Sequence, residues 1–165
     1  MISDGKNKLL KIGLNADVIS CFRQLYEQYK EQPQEITLKE LRPTDPIDFN
    51  CQSIYDHMCK NVFYKIDRDG DQYIKSPARL LADHCGDCKS LTMFVACCLH
   101  CLGIPHIVRF VNFDGGDQYT HVYPVAIDEA GHEIIMDMCE TNKDGIPYYG
   151  YARPYKRKKD LYYGR

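Results

Sequence analysis

"GDCKSLTMFVACCLHCLGIP", Gly86 to Pro105, is the most strongly patterned stretch of the chain, and the fold is read outward from it. Leu91, Phe94, Val95, Cys98, Leu99 and Leu102 recur at helical spacing. The stripe is too broad for a helix with a wet face, so Lys89 to Leu102 is expected to be a mostly buried helix. Gly103 and Pro105 end it. Gly86 breaks the chain ahead of it, which puts Cys88 where a loop becomes a helix. Backbone N–H groups at such a point have no partner within the helix, and the dipole favours negative charge. Both effects favour a thiolate, the reactive form of cysteine. The same N–H groups can donate to the oxyanion formed when a thiolate attacks a carbonyl. Cys85, ahead of the turn, is the nearest rival nucleophile.

Upstream the pattern stays helical. Asn15 is placed to cap a helix over Ala16 to Lys30, with Val18, Phe22, Leu25 and Tyr29 on one face and Pro33 as its stop. A linker with Pro43 and Pro46 leads to a second helix, Phe49 to Asn61, whose apolar side carries Cys51, Ile54, Tyr55 and Met58. Val62 to Ile66 reads as extended and ends at an acidic turn, Asp67 to Gln72. Ser76-Pro77 gives a cap and a first-position proline for a short helix, Ala78 to Ala82.

Downstream the character changes to β. Ile107–Phe113, His121–Ile127 and Glu133–Asp137 read as three strands, the last two joined by a tight turn with Gly131 at its bulge position. Pro124 predicts that its strand lies at an edge or is bulged there. From Lys143 on, the Tyr-, Gly- and Lys-rich stretch reads as irregular. The class is α+β, helices first and then an antiparallel sheet. Residues 1–165 are read as a single domain: N-terminal helices over 1–61, a core over 62–142 and a tail over 143–165.

A 165-residue chain of net charge −2 with no low-complexity tract is neither a disordered nor a polyanion-coating protein. No apolar run approaches the roughly 20 residues that span a bilayer, and the start "MISDGKNKLLKIGLNADV" lacks a signal peptide's apolar stretch. The expectation is a cytoplasmic protein with reduced cysteines. Cys21, Cys51, Cys59, Cys97 and Cys98 are then small buried hydrophobes.

Cys85-x-x-Cys88 and Cys98-x-x-Cys101 imitate a four-thiolate zinc site. The intervening helix would hold Cys88 and Cys101 roughly 20 Å apart, whereas zinc needs its sulfurs about 2.3 Å from one point. Asp67-x-Asp69-x-Asp71 imitates a calcium loop, but Gln72 replaces the turn glycine and Ala78 the bidentate glutamate. A redox disulfide between Cys85 and Cys88 would need a βαβ setting that this order of elements lacks. No metal and no cofactor is expected.

A thiol nucleophile needs a base and a group to orient that base. Turning the hairpin at Glu129 to Gly131 sets Asp128 opposite His132 and Asp137 opposite Tyr123. His121 and Asp137 then share a face as diagonal neighbours, about 7–8 Å apart at Cα. His84, His100, His106 and His132 remain alternative bases.

The order Cys88, His121, Asp137 resembles the transglutaminase-like core of the papain-like cysteine peptidase superfamily. The segments that carry the resemblance are "SPARLLADHCGDCKSLTMFVACCLHCLGIPHIVRF" (76–110), "THVYPVAI" (120–127) and "EIIMDM" (133–138). "DGDQYIKSPARLL" (69–81) is similar to relatives from phages and integrated elements. The resemblance implies Cys88 as nucleophile, His121 as general base, Asp137 as orienting carboxylate, and a thioester intermediate on a protein or peptide amide. It implies one oxyanion donor, the Cys88 N–H, and leaves the second unassigned. The chain departs from the pattern in having His121-Val-Tyr123 and Asp137-Met138, where relatives carry Trp after His and Pro after Asp. Tyr123 would fill the aromatic role.

The expected function is therefore a thiol enzyme of amides: peptidase, amidase or glutamine acyl transferase. The alternatives are a non-catalytic binding or phage structural module on the same fold, and a zinc-bearing structural protein. The tail "YYGYARPYKRKKDLYYGR" (148–165) could serve as an interaction arm. No membrane and no nucleic-acid partner is expected. Substrate, acceptor and oligomeric state are not written in the motifs.

Overall fold

Helical periodicity before Pro105 and alternation after it are realised as two halves of the computed structural model. The structure describes residues 8–10, 15–36, 40–67, 72–139, 141, 143–145 and 147–164. In chain order come β1 (Lys8–Leu10), α1 (Asn15–Tyr29), α2 (Pro33–Ile36), α3 (Ile47–Asn61), β2 (Phe63–Tyr64), β3 (Gln72–Ile74) and α4 (Pro77–Asp83). Then follow β4 (Cys85–Gly86), α5 (Cys88–Cys101), β5 (His106–Asn112), β6 (His121–Ile127), β7 (Glu133–Ile135) and β8 (Arg157–Tyr163). Residues Asp69 and Asp71 of the calcium-loop imitation lie outside the described residues.

Every residue of α5 from Lys89 to Leu99 is buried, as its broad stripe requires. One flank, Phe94, Val95 and Leu99, packs on Ile54, Tyr55 and Met58 of α3 and on Leu80 of α4. The other, Met93, Ala96 and Cys97, packs on Phe22, Leu25 and Tyr26 of α1 and on Val108, Phe110 and Val122 of the sheet. Each fully buried side chain of this size stabilises the fold by about 1.5–3 kcal/mol, so the two flanks fix the helix within the molecule.

The main sheet is four-stranded and antiparallel, ordered β7-β6-β5-β8. Its outer face carries Ile107, Val111, Tyr123 and Val125, covered by Phe113, Ile135 and Ala152. The tail therefore departs from its irregular reading. Arg157–Tyr163 forms an edge strand along β5, inserting Leu161 into the core and exposing Lys158 and Lys159. Lysines on an edge are a common guard against unwanted strand pairing. Arg109 of β5 locks the sheet sideways. It donates to both Glu133 carboxylate oxygens at 2.8 Å, and to Asp160 at 2.9 and 3.1 Å.

Two further expectations need correction. Pro124 is in an interior strand, between β5 and β7. Its missing N–H falls where β7 ends, and its carbonyl still accepts from Met136 N at 3.0 Å. Cys59 is exposed and Cys21 half-buried, whereas Cys51, Cys97 and Cys98 are buried as read. Among the described residues no cysteine forms a disulfide. No described helix is long and apolar enough to cross a membrane.

Candidate active site

Asp87 caps α5. Its carboxylate accepts from the backbone amides of Lys89 (3.0 Å) and Ser90 (3.3 Å), and pairs with the Lys89 ammonium. Burial raises the Asp87 carboxyl while Lys89 opposes the rise. The cap was legible, since Asp is a favoured N-cap and stands directly before Cys88. Gly86 does not provide the turn. His84 takes the left-handed conformation, φ 55°, and Gly86 lies in β4 beside β2. The glycine is needed because Leu80 and Ser90 close over it.

Cys88 is thereby the first residue of α5, half-buried in a cleft whose lining includes Phe110, Tyr119 and His121. Four residues on, the Thr92 hydroxyl donates to the Val122 carbonyl of β6 at 3.2 Å. That bond keys helix to strand beside both Cys88 and His121.

The hairpin adopts the register read from its turn. Asp128 N donates to His132 O, Val125 faces Ile135, and Gly131 has φ 84°. His121 Nε2 and Asp137 Oδ2 are 2.7 Å apart. Asp137 is 2% exposed at its side chain, and its other oxygen accepts from Cys139 N at 3.0 Å. Tyr55 of α3 donates to the Asp137 carbonyl at 3.4 Å. Cys88 lines the same cleft as this imidazole and helps to raise its proton affinity. Since Nε2 faces Asp137, Nδ1 is the nitrogen left for the sulfur. Burial works against charging His121, but the bond to Asp137 and the neighbouring Cys88 outweigh it and push its pKa up to about 10.

The other histidines are engaged elsewhere. His84 contacts the Asn61 carbonyl, His100 pairs with Glu31, His106 with Tyr26, and His132 with Asp128. Cys88 and Cys101 begin and end α5, so the four-thiolate cluster does not converge. A different donor set does: one atom each from His121, Asp137 and Cys139 lie within 4.8 Å of one another. Two of those atoms belong to the His121–Asp137 pair.

Sequence reasoning missed three groups around the imidazole. Phe113 stacks on it, with centroids 5.8 Å apart and planes at 29°, and Arg153 lies over the Phe113 ring at 4.3 Å. Tyr123, the aromatic singled out in the sequence, contributes a second ring at 5.8 Å and 39°. Burial, with Cys88, Cys139, Asp87 and Asp137 adding to it, pushes the Tyr64 phenol of β2 up. A groove beside it is lined by Met58, Val62, Phe63, Tyr64, Leu91 and Met138. These are tertiary neighbours with no spacing signal between them.

No protein-family model and no curated protein matches the chain. Two solved structures do. A proposed cysteine protease from Cytophaga hutchinsonii is 14% identical with a TM-score of 0.52, covering 92% of this chain. LapG of Legionella pneumophila, in an EGTA-treated form, is 16% identical with a TM-score of 0.51, covering 80% of this chain. The chain spans 57% of the Cytophaga protein and 78% of LapG. At such identities the likeness is one of fold alone, the α+β, papain-like architecture.

Proposed function

We propose that the chain is a transglutaminase-like thiol enzyme that acts on a protein or peptide amide. The observation that carries this reading is the His121 ring, bonded to buried Asp137 at 2.7 Å and sharing a cleft with Cys88 at the head of α5.

In this reading the Cys88 sulfur, as thiolate beside the His121 imidazolium, attacks the amide carbonyl carbon. A C–S bond forms and the carbonyl electron pair moves to oxygen. The intermediate collapses with cleavage of the C–N bond, and His121 Nδ1 passes its proton to the departing amine. Water or an amine then attacks the thioester, giving a proton back to His121 and releasing the Cys88 thiolate. Asp137 accepts the Nε2–H throughout and holds the ring plane. Of the first-turn amides of α5, those of Lys89 and Ser90 are taken by Asp87. The Cys88 N–H is the one assigned to the oxyanion.

The test is iodoacetamide labelling at neutral pH, mapped by mass spectrometry. Cys88 is expected to react at least about tenfold faster than glutathione, and His121→Ala to abolish the advantage. Labelling no faster than glutathione overturns the reading. Incubation of peptide mixtures with a tagged primary amine then separates hydrolysis from acyl transfer, with Cys88→Ala as the blank.

A further inference from the structure

His121 must present two nitrogens in opposite directions at once, and a modest ring rotation would lose both partners. Its ring has neighbours on its faces, and one is held by the C-terminal segment. Phe113 follows the last residue of β5 and stacks on the imidazole at 5.8 Å and 29°. The Arg153 guanidinium covers the Phe113 ring at 4.3 Å. Arg153 is itself fixed by its backbone surroundings. Gly150 N donates to Ile135 O at 3.0 Å, Lys156 N donates to Asn112 O at 2.9 Å, and Ala152 packs on the outer face of the sheet. The segment 150–156 is thus a strap, pinned at both ends, with its cation pressed on the ring that presses on His121.

We infer that Phe113, held by Arg153, is a positioning residue that keeps the His121 ring in line with Cys88 and Asp137. The inference rests on the reading of His121 as the proton carrier. A cation on an aromatic face and a stacked ring pair are each modest attractions, and they strengthen when water is excluded. Their effect on the reaction is geometric, because misalignment of a proton carrier is costly in rate.

Phe113→Leu keeps apolar bulk and removes the stack. It is expected to lower kcat, and Cys88 alkylation at neutral pH, by about tenfold while leaving KM near the wild-type value. The alkaline limb of its pH profile shifts to lower pH, and ring NMR shows the same downward shift for His121. Phe113→Tyr restores the stack and recovers most of the loss. Arg153→Ala, on an exposed side chain, gives a smaller loss in the same direction, and Arg153→Lys recovers it; should Phe113→Leu fail to fold, this pair decides. Wild-type alkylation rate and His121 titration in both Phe113→Leu and Arg153→Ala overturn the inference. A wild-type Cys88 no faster than glutathione counts against the proposed function instead, and the ring titration still reads the positioning.

Discussion

A β-carbon placed on Gly86 would lie 2.6 Å from Leu80 Cδ1 and 3.0 Å from Ser90 Cβ. Gly86 is where α4 and the first turn of α5 close on the strand that delivers Cys88. Gly86→Ala is expected to cost about 1–3 kcal/mol by overpacking. Relief requires Leu80 or the start of α5 to move, so Cys88 alkylation should slow as well. Urea unfolding and labelling rates measure the two effects, and Leu80→Ala in the same chain should recover reactivity more than stability.

The Asp137 carboxylate is central to the high proton affinity of His121. The alkaline limb of kcat/KM is expected near pH 10 in the wild type, where the imidazolium is lost. Asp137→Asn should move that limb downward and reduce kcat by about a hundredfold or more. For stability the sign is fixed by the raised value. The contribution of charged His121 is complete below its ordinary pKa of 6.5 and is lost as pH rises through about 10. Unfolding midpoints across that range, for wild type and Asp137→Asn, report it.

His106 behaves oppositely. It is 1% exposed, and its Nδ1 faces the Ile104 carbonyl at 2.8 Å while Nε2 faces the Tyr26 hydroxyl at 3.1 Å. Burial pulls its pKa down from 6.5 to about 4, the Ile104 carbonyl opposing. The unfolded chain takes up this proton first, so stability is intact above 6.5 and falls by up to about 3 kcal/mol as pH drops toward 4. His106→Gln should flatten that part of the curve, and an unchanged slope in acid unfolding would falsify the assignment.

Arg109 neutralises Asp160, whose side chain is only 6% exposed, and chelates Glu133 two strands away. Arg109→Met leaves Asp160 buried with its principal partner gone and is expected to cost about 3–5 kcal/mol. Arg109→Met with Asp160→Leu should recover much of that loss. A single variant as stable as wild type in denaturant titration would show the cluster to be energetically idle.

The fold was legible wherever a pattern is local. The stripe from Leu91 to Leu102 yields α5, and Gly131 yields a hairpin whose register carries Asp137 to His121. What local pattern conceals is compensation across space. The strand at Arg157–Tyr163 reads as a solvated tail because, as an edge, it turns most of its charges outward. Its one deeply buried charge, Asp160, is explained only by Arg109 across the ladder. Gly86 looked like a turn residue, and its reason is a leucine six positions upstream that a helix brings overhead. For the candidate site, Cys88, His121 and Asp137 were all nameable in advance, since helix start and hairpin parity mark them. Phe113, Arg153 and Tyr64 were not, because proximity between distant segments leaves no periodic trace.

The pairing of β8 with β5 also sets an order in time. During synthesis Cys88, His121 and Asp137 all leave the ribosome before Arg157 and the strap that precedes it. Domains fold as their residues emerge, so a nascent chain arrested before Arg153 carries the thiol without the cover over its imidazole. Such stalled chains are expected to react with iodoacetamide more slowly at Cys88 than released protein. In the proposed reading, the three residues of the candidate site thus precede in the chain the cover that aligns them.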